Sequence, residues 1–367
     1  MRVFKYLNWT IFIGSLSLVW FLVTWLFSWS ALSAKIISVL IFSAFAVLTV
    51  VVFKKNNKKD SWWWRFLYHF VFGTLGVGFI FLLLTVLGVL IYKSLAFFGI
   101  SISFSVLRIF ILTFTFSLSL VGIYQAREPK KKTYEVKINN LPDSWVNKKI
   151  VHIADLHLGP IWRQKFLKRV LKKIEALTPE AIFISGDFFD GSQADFSWLG
   201  DLLSKFQPPQ GVYYSFGNHD LDLGAEKVHK LLDPWPIEIL ENSLVLKSGL
   251  QIIGLNFQDR DNYLAPGDQL AKTSYRPELP SILLYHEPKD PFAFKIAGID
   301  LQLSGHTHGG QVFPFNLLAA KLYGWRAHGL YQDGHYHLSV TSGLGTWGPP
   351  LRLGTRSEIV LITLKKA

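Results

Sequence analysis

Long apolar runs fill the first third of the chain, and short β-type runs ending in polar clusters fill the rest. Four stretches, near residues 7–27, 36–53, 66–92 and a fourth ending at Tyr124, read as spanning helices. A helix needs about 20 residues to cross roughly 30 Å of hydrocarbon, and each stretch approaches that length. Arg108 interrupts the apolar run 100–123. A charge at the centre of a span costs about 3 kcal/mol, so the fourth span is expected to start after it, near Ile109, with Arg108 reaching the interface. Trp62, Trp63 and Trp64, beside Lys58, Lys59 and Arg65, read as an interfacial aromatic belt. Arg2 and Lys5 ahead of the first run imitate a secretory signal. That run exceeds the about 7–15 apolar residues of a signal, so a retained span is expected.

The pattern then changes. Residues 1–126 are expected to form the transmembrane region, 127–133 a basic linker, and 134–367 a second domain. In that domain, buried-type strand runs end on polar residues at 149–155, 181–187 and 212–218. Between the first two, residues 162–177 place Phe166, Leu167, Val170, Leu171, Ile174 and Leu177 on one helical face, and Arg163, Lys165, Lys168, Arg169, Lys172 and Lys173 on the other. Such β-α-β alternation argues an α/β domain whose ligands gather at the carboxyl ends of the strands. The basic helix face reads as solvated; contact with anionic headgroups is the sharper alternative.

Charge supports the division. Residues 1–132 carry 14 Lys and Arg against Asp60 and Glu128, which leaves 24 basic and 24 acidic residues beyond them. The formal charge of +12 therefore belongs to the apolar part. Nucleic acid is set aside as a partner, because a domain that grips phosphate backbone carries its basic patch in the folded module. The chain has no cysteine, which excludes disulfides, thiolate metal sites and a thiol nucleophile. With four spans, eleven Lys and Arg fall on one side against Lys35, Lys93 and Arg108 on the other, so both termini and the second domain are expected inside. No acidic residue lies in a span, which makes a transporter a poor reading.

The polar strand ends, in order, are Asp155-x-His157, Gly186-Asp187, Gly217-Asn218-His219-Asp220, His286 and Gly305-His306-Thr307-His308. Each alone is weak, since an Asp-x-His is an ordinary surface turn and Gly-Asn-His-Asp an ordinary hairpin. Together they supply oxygen and imidazole ligands from five strand ends, the set that a pair of divalent cations needs. His69, His229, His328, His335 and His337 fit no ligand spacing and read as structural.

This ordered set resembles the signature of the calcineurin-like metallophosphoesterase superfamily, with every position filled. The tail Gly343-Leu344-Gly345-Thr346, with Pro350-Leu351-Arg352 and Gln311, is similar more narrowly to a membrane-anchored bacterial branch. That branch includes cell-envelope phosphodiesterases and UDP-2,3-diacylglucosamine pyrophosphatases. The resemblance covers residues 134–367 and does not extend to the spans. It implies an α/β fold, a four-layer α-β-β-α sandwich; the apolar runs, read separately, place an all-α transmembrane region of about four helices before it. It further implies two divalent metal ions, and oxygen and imidazole ligands without thiolate suit Mn²⁺, expected first, or Fe²⁺ or Zn²⁺. One would be held by Asp155, His157, Asp187 and His308, the other by Asp187, Asn218, His286 and His306, with Asp187 bridging. His219 would touch the phosphate and assist the leaving group, with Asp220 as the group that orients it.

The expected function is hydrolysis of a phosphodiester or pyrophosphate bond in a phosphorylated, lipid-linked small molecule. The expected place is a bacterial inner membrane with the catalytic domain in the cytoplasm. Trp162, Trp198, Trp325 and Trp347 are candidates for an acyl groove. An outward-facing general phosphodiesterase and an inactive membrane scaffold are the competing readings. A scaffold would show lost ligands, and none is lost.

Overall fold

The computed structural model describes residues 24, 32–54, 61–204, 207–258 and 264–367. The chain divides into two units, one of residues 1–56 and 61–122, the other of 57–60 and 123–367.

In the first unit, helices α1 (Leu32–Lys54) and α2 (Trp62–Phe97) are followed by α3 (Phe104–Arg127), whose last turn belongs to the second. Among the described residues two helices, α2 and α3, are long and apolar enough to cross a membrane. The expected count of four is not supported among the described residues. The apolar part of α1, Ile36–Val52, falls short of the length required, and the span expected over 7–27 lies outside the described residues but for Thr24. The tryptophan triplet is the first turn of α2 rather than a flanking loop. Ser61 caps it, its hydroxyl accepting from the Trp64 amide at 3.3 Å, because a free N-terminal N–H needs such a partner. The fourth span was expected to start after Arg108, yet α3 starts at Phe104 and takes Arg108 into its second turn, where the guanidinium lies 4.7 Å over the Phe104 ring. An arginine one turn from a helix end can still reach the interface, so helix continuity wins over exclusion of the charge.

The second unit is built from two six-stranded sheets. Its strands are β1 (Lys130–Ile138), β2 (Lys149–Ile153), β3 (Ala181–Ser185), β4 (Val212–Ser215), β5 (Ile237–Ile239), β6 (Ser243–Lys247), β7 (Leu250–Leu255), β8 (Ser281–Tyr285), β9 (Leu301–Ser304), β10 (Gly329–Asp333), β11 (Tyr336–Val340) and β12 (Glu358–Lys366). The sheet orders are β1-β12-β2-β3-β4-β5 and β10-β11-β9-β8-β7-β6. β2, β3, β4 and β5 run parallel, as do β7, β8, β9 and β11, so each sheet aims several carboxyl ends one way. The helices are α4 (Gln164–Glu175), α5 (Gly200–Leu203), α6 (Asn218–Leu223), α7 (Ala225–Leu232), α8 (Pro266–Ala271), α9 (Pro291–Ile296) and α10 (Phe315–Tyr323).

Three apolar clusters make the four layers. Ile150, Phe183, Ile252, Leu284 and Leu303 meet between the sheets. Val151, Ile182 and Ile184 face the other way, onto Phe166, Leu167, Val170 and Ile174 of α4. On the far side Ile253, Leu283 and Leu338 pack with Leu270 and Phe294 of α8 and α9. Strands buried on both faces read as continuous apolar runs, which is why the sequence marked them.

The basic face of α4 is not left wholly to solvent or headgroups. Arg169 and Lys173 pair with Glu128 at 3.2 and 3.0 Å, and also donate to the carbonyls of Arg127 and Pro129. Half-exposed pairs of this kind contribute under about 1 kcal/mol each, but together they fix the start of β1 on α4.

Candidate metal centre

The strands stop short of the polar residues they were expected to deliver. β2 ends at Ile153 and β3 at Ser185, so Asp155, His157 and Asp187 sit in the turns that follow. Asn218, His219 and Asp220 open α6 after β4, His286 follows β8, and His306 and His308 follow β9. Five of these residues, Asp155, His157, Asp187, His306 and His308, have φ between 47° and 70°. That left-handed region costs a residue with a Cβ about 1–3 kcal/mol and persists only where the surroundings enforce it.

All seven expected ligands converge. His157 Nε2 lies 3.1 Å from His308 Nε2, 3.9 Å from Asp155 Oδ1 and 3.8 Å from Asp187 Oδ2. His308 Nε2 is 3.6 Å from Asp155 Oδ1. On the other side of Asp187, the same Oδ2 is 3.1 Å from His286 Nε2, and Asn218 Oδ1 is 3.1 Å from His306 Nδ1. Asp155, His157 and His308 offer one mutually close ligand set and Asp187, His286 and His306 another, while His219 comes close to His157 and Asp187 in a third. Asp187 Oδ2 thus stands between His157 and His286, where a bridging carboxylate belongs.

Glycines make room for the carboxylates. A Cβ on Gly217 would strike the Asp187 carboxylate, and one on Gly343, itself at φ 80°, would lie 2.6 Å from the Asp155 Cβ. Backbone donors complete the carboxylates: the His219 amide gives to Asp187 Oδ1 at 2.9 Å, and the His306 amide reaches both Asp155 oxygens at 3.1 Å.

Whether these residues fit a cation is decided by His286. Its Nδ1 is 2.7 Å from the Ser185 carbonyl, which can only accept, so Nδ1 carries the proton and the neutral ring presents a lone pair at Nε2. That buried Nε2 is near enough to Asp187 for an ion pair but has no hydrogen-bond partner. A lone pair facing a carboxylate in a dry site requires either a proton or a metal ion between them. The acid–base state agrees. Burial would depress His286, but the charges of Asp187 and Asp155 outweigh it and raise it to about 10, so without a cation a proton takes the place at Nε2 that a metal ion would fill. Burial would raise Asp187, yet His286 and His157 hold it below the usual carboxylate range. Burial raises Asp155, against the charge of His286. Burial also lowers His157 and His306 to about 3 and His308 well below its ordinary value, so these rings stay neutral, as ligation demands. The cluster is therefore consistent with divalent metal ions. All ligands are oxygen or imidazole nitrogen, a set that suits first-row divalent cations.

The outer residues differ from expectation. Asp220 does not orient His219. Its buried carboxylate accepts from the amides of Phe189 at 2.9 Å, Phe188 at 3.4 Å and Gly217 at 3.0 Å, tying the Asp187 turn to the Asn218 turn. An aspartate at the third position of a short helix turns back to unpaired backbone donors, which is why it serves as a clamp. His219 instead donates from Nδ1 to the Asp190 carbonyl at 3.2 Å, with its ring 4.9 Å from that of His157. Asp190 carried no sequence signal. Arg352 was noted only in the tail pattern, yet it is fully buried and gives hydrogen bonds to the carbonyls of Ser342 at 2.7 Å, Gly345 at 2.6 Å and His308 at 3.3 Å. Of the four candidate groove tryptophans, Trp162 is a core residue bonded to Thr346, Trp198 stacks near Arg163, and Trp347 is 64% exposed; the Trp325 side chain lies outside the described set.

Comparison with known proteins bears on the same residues. The family model described as Calcineurin-like phosphoesterase matches residues 148–310. An uncharacterized metallophosphoesterase of Campylobacter jejuni is 36% identical over 244 residues, 65% of this chain and 64% of its own. One from Bacillus subtilis is 33% identical across 63% of this chain and 84% of its own. A zebrafish (Danio rerio) protein described as a transmembrane protein with metallophosphoesterase domain is 32% identical across 70% of this chain and 62% of its own. The chain spans just under two thirds of the length of the Campylobacter relative and of a Helicobacter pylori relative. Two helices long enough to span and these transmembrane relatives together point to membrane association.

Proposed function

The chain belongs to the calcineurin-like metallophosphoesterases, and on that premise we propose that it hydrolyses a phosphodiester or pyrophosphate bond of a lipid-linked substrate. The observation that carries this reading is the position of Asp187 Oδ2 between His157 Nε2 and His286 Nε2. Asp155, His157, Asp187 and His308 would hold one divalent ion and Asp187, Asn218, His286 and His306 the other. Bound there, the ions supply charge neutralisation at the phosphoryl oxygens and acidify the attacking water. The chain's own residues do the rest. Five left-handed turns fix the ligands before substrate arrives, so no reorganisation accompanies the reaction. His219, with Nδ1 held by Asp190, presents its other nitrogen to the phosphate. As the water oxygen bonds to phosphorus and gives up a proton to solvent, the opposite phosphorus–oxygen bond breaks and the Nε2–H of His219 would protonate the leaving oxygen.

Turnover of a chromogenic phosphodiester is expected to stop on chelation and to return best with Mn²⁺. Full turnover by protein shown metal-free by elemental analysis would end the dinuclear reading.

The substrate is proposed from the membrane association. Confinement to the plane that holds acyl chains raises effective concentration only for a substrate that carries them. With α2 and α3 as consecutive spans, the segments directly before residue 62 and from residue 127 on lie on one side, and their Lys54, Lys55, Lys58, Lys59, Arg127, Lys130, Lys131 and Lys132 favour the cytoplasm. A UDP-linked acylated sugar, cleaved to a lipid phosphosugar and UMP, meets both conditions. Protein in detergent with Mn²⁺ should turn over the acylated compound about tenfold or more efficiently than the sugar nucleotide without acyl chains. Equal kcat/KM for the two, or a reporter placing residue 133 outside the cytoplasm, would favour an outward-facing phosphodiesterase.

A further inference from the structure

Beside the metal centre lies a surface that catalysis does not explain. Phe313, Phe315, Leu317, Leu318 and Leu322, on or just before α10, and Trp347, whose backbone is bonded to the Gln311 side chain, are 48–70% exposed. After residue 127 the other exposed large apolar side chains among the described residues are Leu246, Phe292 and Ile296, so exposure of this kind is concentrated here. Soluble surfaces rarely gather so much apolar area without covering it.

Charge indicates what covers it. Residues 309–332 contain Lys321, Arg326 and His328 and no Asp or Glu. Lys321 and Arg326 are exposed at the margin of the apolar side chains. The nearest carboxylates are taken up elsewhere, Glu287 and Glu358 being buried against Tyr323 and His328 and Asp333 paired with Lys295, so the exposed charge beside the apolar side chains is basic, the composition of a helix that lies in a lipid interface. A second copy of the chain, or a soluble partner, gives no reason for acidic residues to be excluded. Continuity with the site adds a role. The Tyr323 ring, at the end of α10, is 6.3 Å from that of His306. Gln311, three residues after His308, accepts from the Trp347 amide at 2.9 Å and donates to the Trp347 carbonyl at 3.1 Å. Gly310 packs so closely on the Asn316 backbone that a Cβ there would overlap it. The apolar surface is thus fastened to the turn that carries His308.

We propose that α10 with Phe313 and Trp347 is a lipid-docking face, seated in the headgroup layer of a bilayer, so that the metal centre opens at the lipid surface and takes substrate headgroups while their acyl chains stay in lipid. This rests on the lipid-linked reading above and names the surface that would serve it. Docking makes no bond to substrate and is measurable without turnover.

The chain has no native cysteine, so single labelling sites are unambiguous. Spin labels at Leu318→Cys and Leu322→Cys, with Leu246→Cys and Phe292→Cys as controls, would be compared in the full chain, in bilayers containing phosphatidylglycerol. Oxygen collisions should exceed those of a water-soluble nickel chelate at the first two positions and fall below them at the controls. Labels on α10 that behave like the controls would overturn the proposal, as would labels shielded from both reagents, the mark of a protein partner. The Leu318→Glu, Leu322→Glu variant should lose about tenfold in kcat/KM on the acylated compound and keep its rate on a soluble phosphodiester. Failure of the unmutated protein on that soluble ester would refute the hydrolase reading, whereas water-exposed labels refute only the docking face.

Discussion

Asp187→Ala is expected to reduce bound metal from about two ions per chain to one or none, and to remove turnover with it. The carboxylate is the single group shared by the two ligand sets, with His157 on one side at 3.8 Å and His286 on the other at 3.1 Å. Without it, two cations would repel across a buried gap where dielectric screening is weak. Asp187→Asn tests whether charge or shape matters, since it keeps the acceptor for the His219 amide and loses the charge; it should also fail to hold the pair. His219→Ala separates binding from chemistry. That side chain is held by the Asp190 carbonyl and stands outside both ligand sets proposed here, so the variant should bind metal like the parent and lose about 10²–10⁴-fold in kcat, the usual worth of a general acid. Elemental analysis with single-substrate kinetics reads both. Equal loss of metal in the two variants would make His219 a ligand and remove it as the proton donor.

The contrast between these residues shows what was legible in the sequence. A buried strand advertises itself by an unbroken apolar run, and the polar residue after it is then placed at the sheet edge by topology alone. That is why Asp155, Asp187 and His306 were found together although each motif was weak. The backbone state of the same residues left no trace, because Asp and His carry no rule for positive φ as Gly does. Nor did side-chain direction. The resemblance implied that Asp220 orients His219, but the first turn of α6 sends one inward to backbone amides and the other toward the site. The span count is a separate matter: hydropathy marks the apolar run over 36–53, but the apolar helix there is too short to count as a span, and the run over 7–27 lies outside the described residues. A continuous helix accommodates Arg108, which a window of hydropathy treats as a break.

Arg352 is the clearest case of a role set by packing, and its removal should be costly. It is fully buried, and the Nη2 hydrogens go to Ser342 and Gly345 carbonyls on either side of Gly343, the glycine that lies against Asp155. Nη1 reaches the His308 carbonyl at 3.3 Å and the Thr355 hydroxyl at 3.4 Å. One guanidinium therefore joins the loop around Asp155 to the turn that bears His308. Burial lowers its pKa to about 10, a fall opposed by Asp155 and Glu358, so it stays charged at neutral pH and helps to balance two buried carboxylates. Arg352→Met keeps the approximate volume but leaves those carbonyls without donors and the carboxylates without a cation, which should destabilise the domain by about 3–5 kcal/mol. Arg352→Lys should recover little of it, because a single ammonium cannot span carbonyls that the planar fork reaches together. The pH dependence of metal binding should move as well. Asp155 must lose its proton to ligate, burial already raises its pKa, and Arg352 is one of the groups that hold it down. Without that cation the pKa rises further, so metal is retained at high pH and lost earlier as pH falls. Denaturant unfolding in detergent and metal titration at several pH values measure the two effects. A variant within about 1 kcal/mol of the parent, with an unchanged pH profile, would show that the buried guanidinium only fills space.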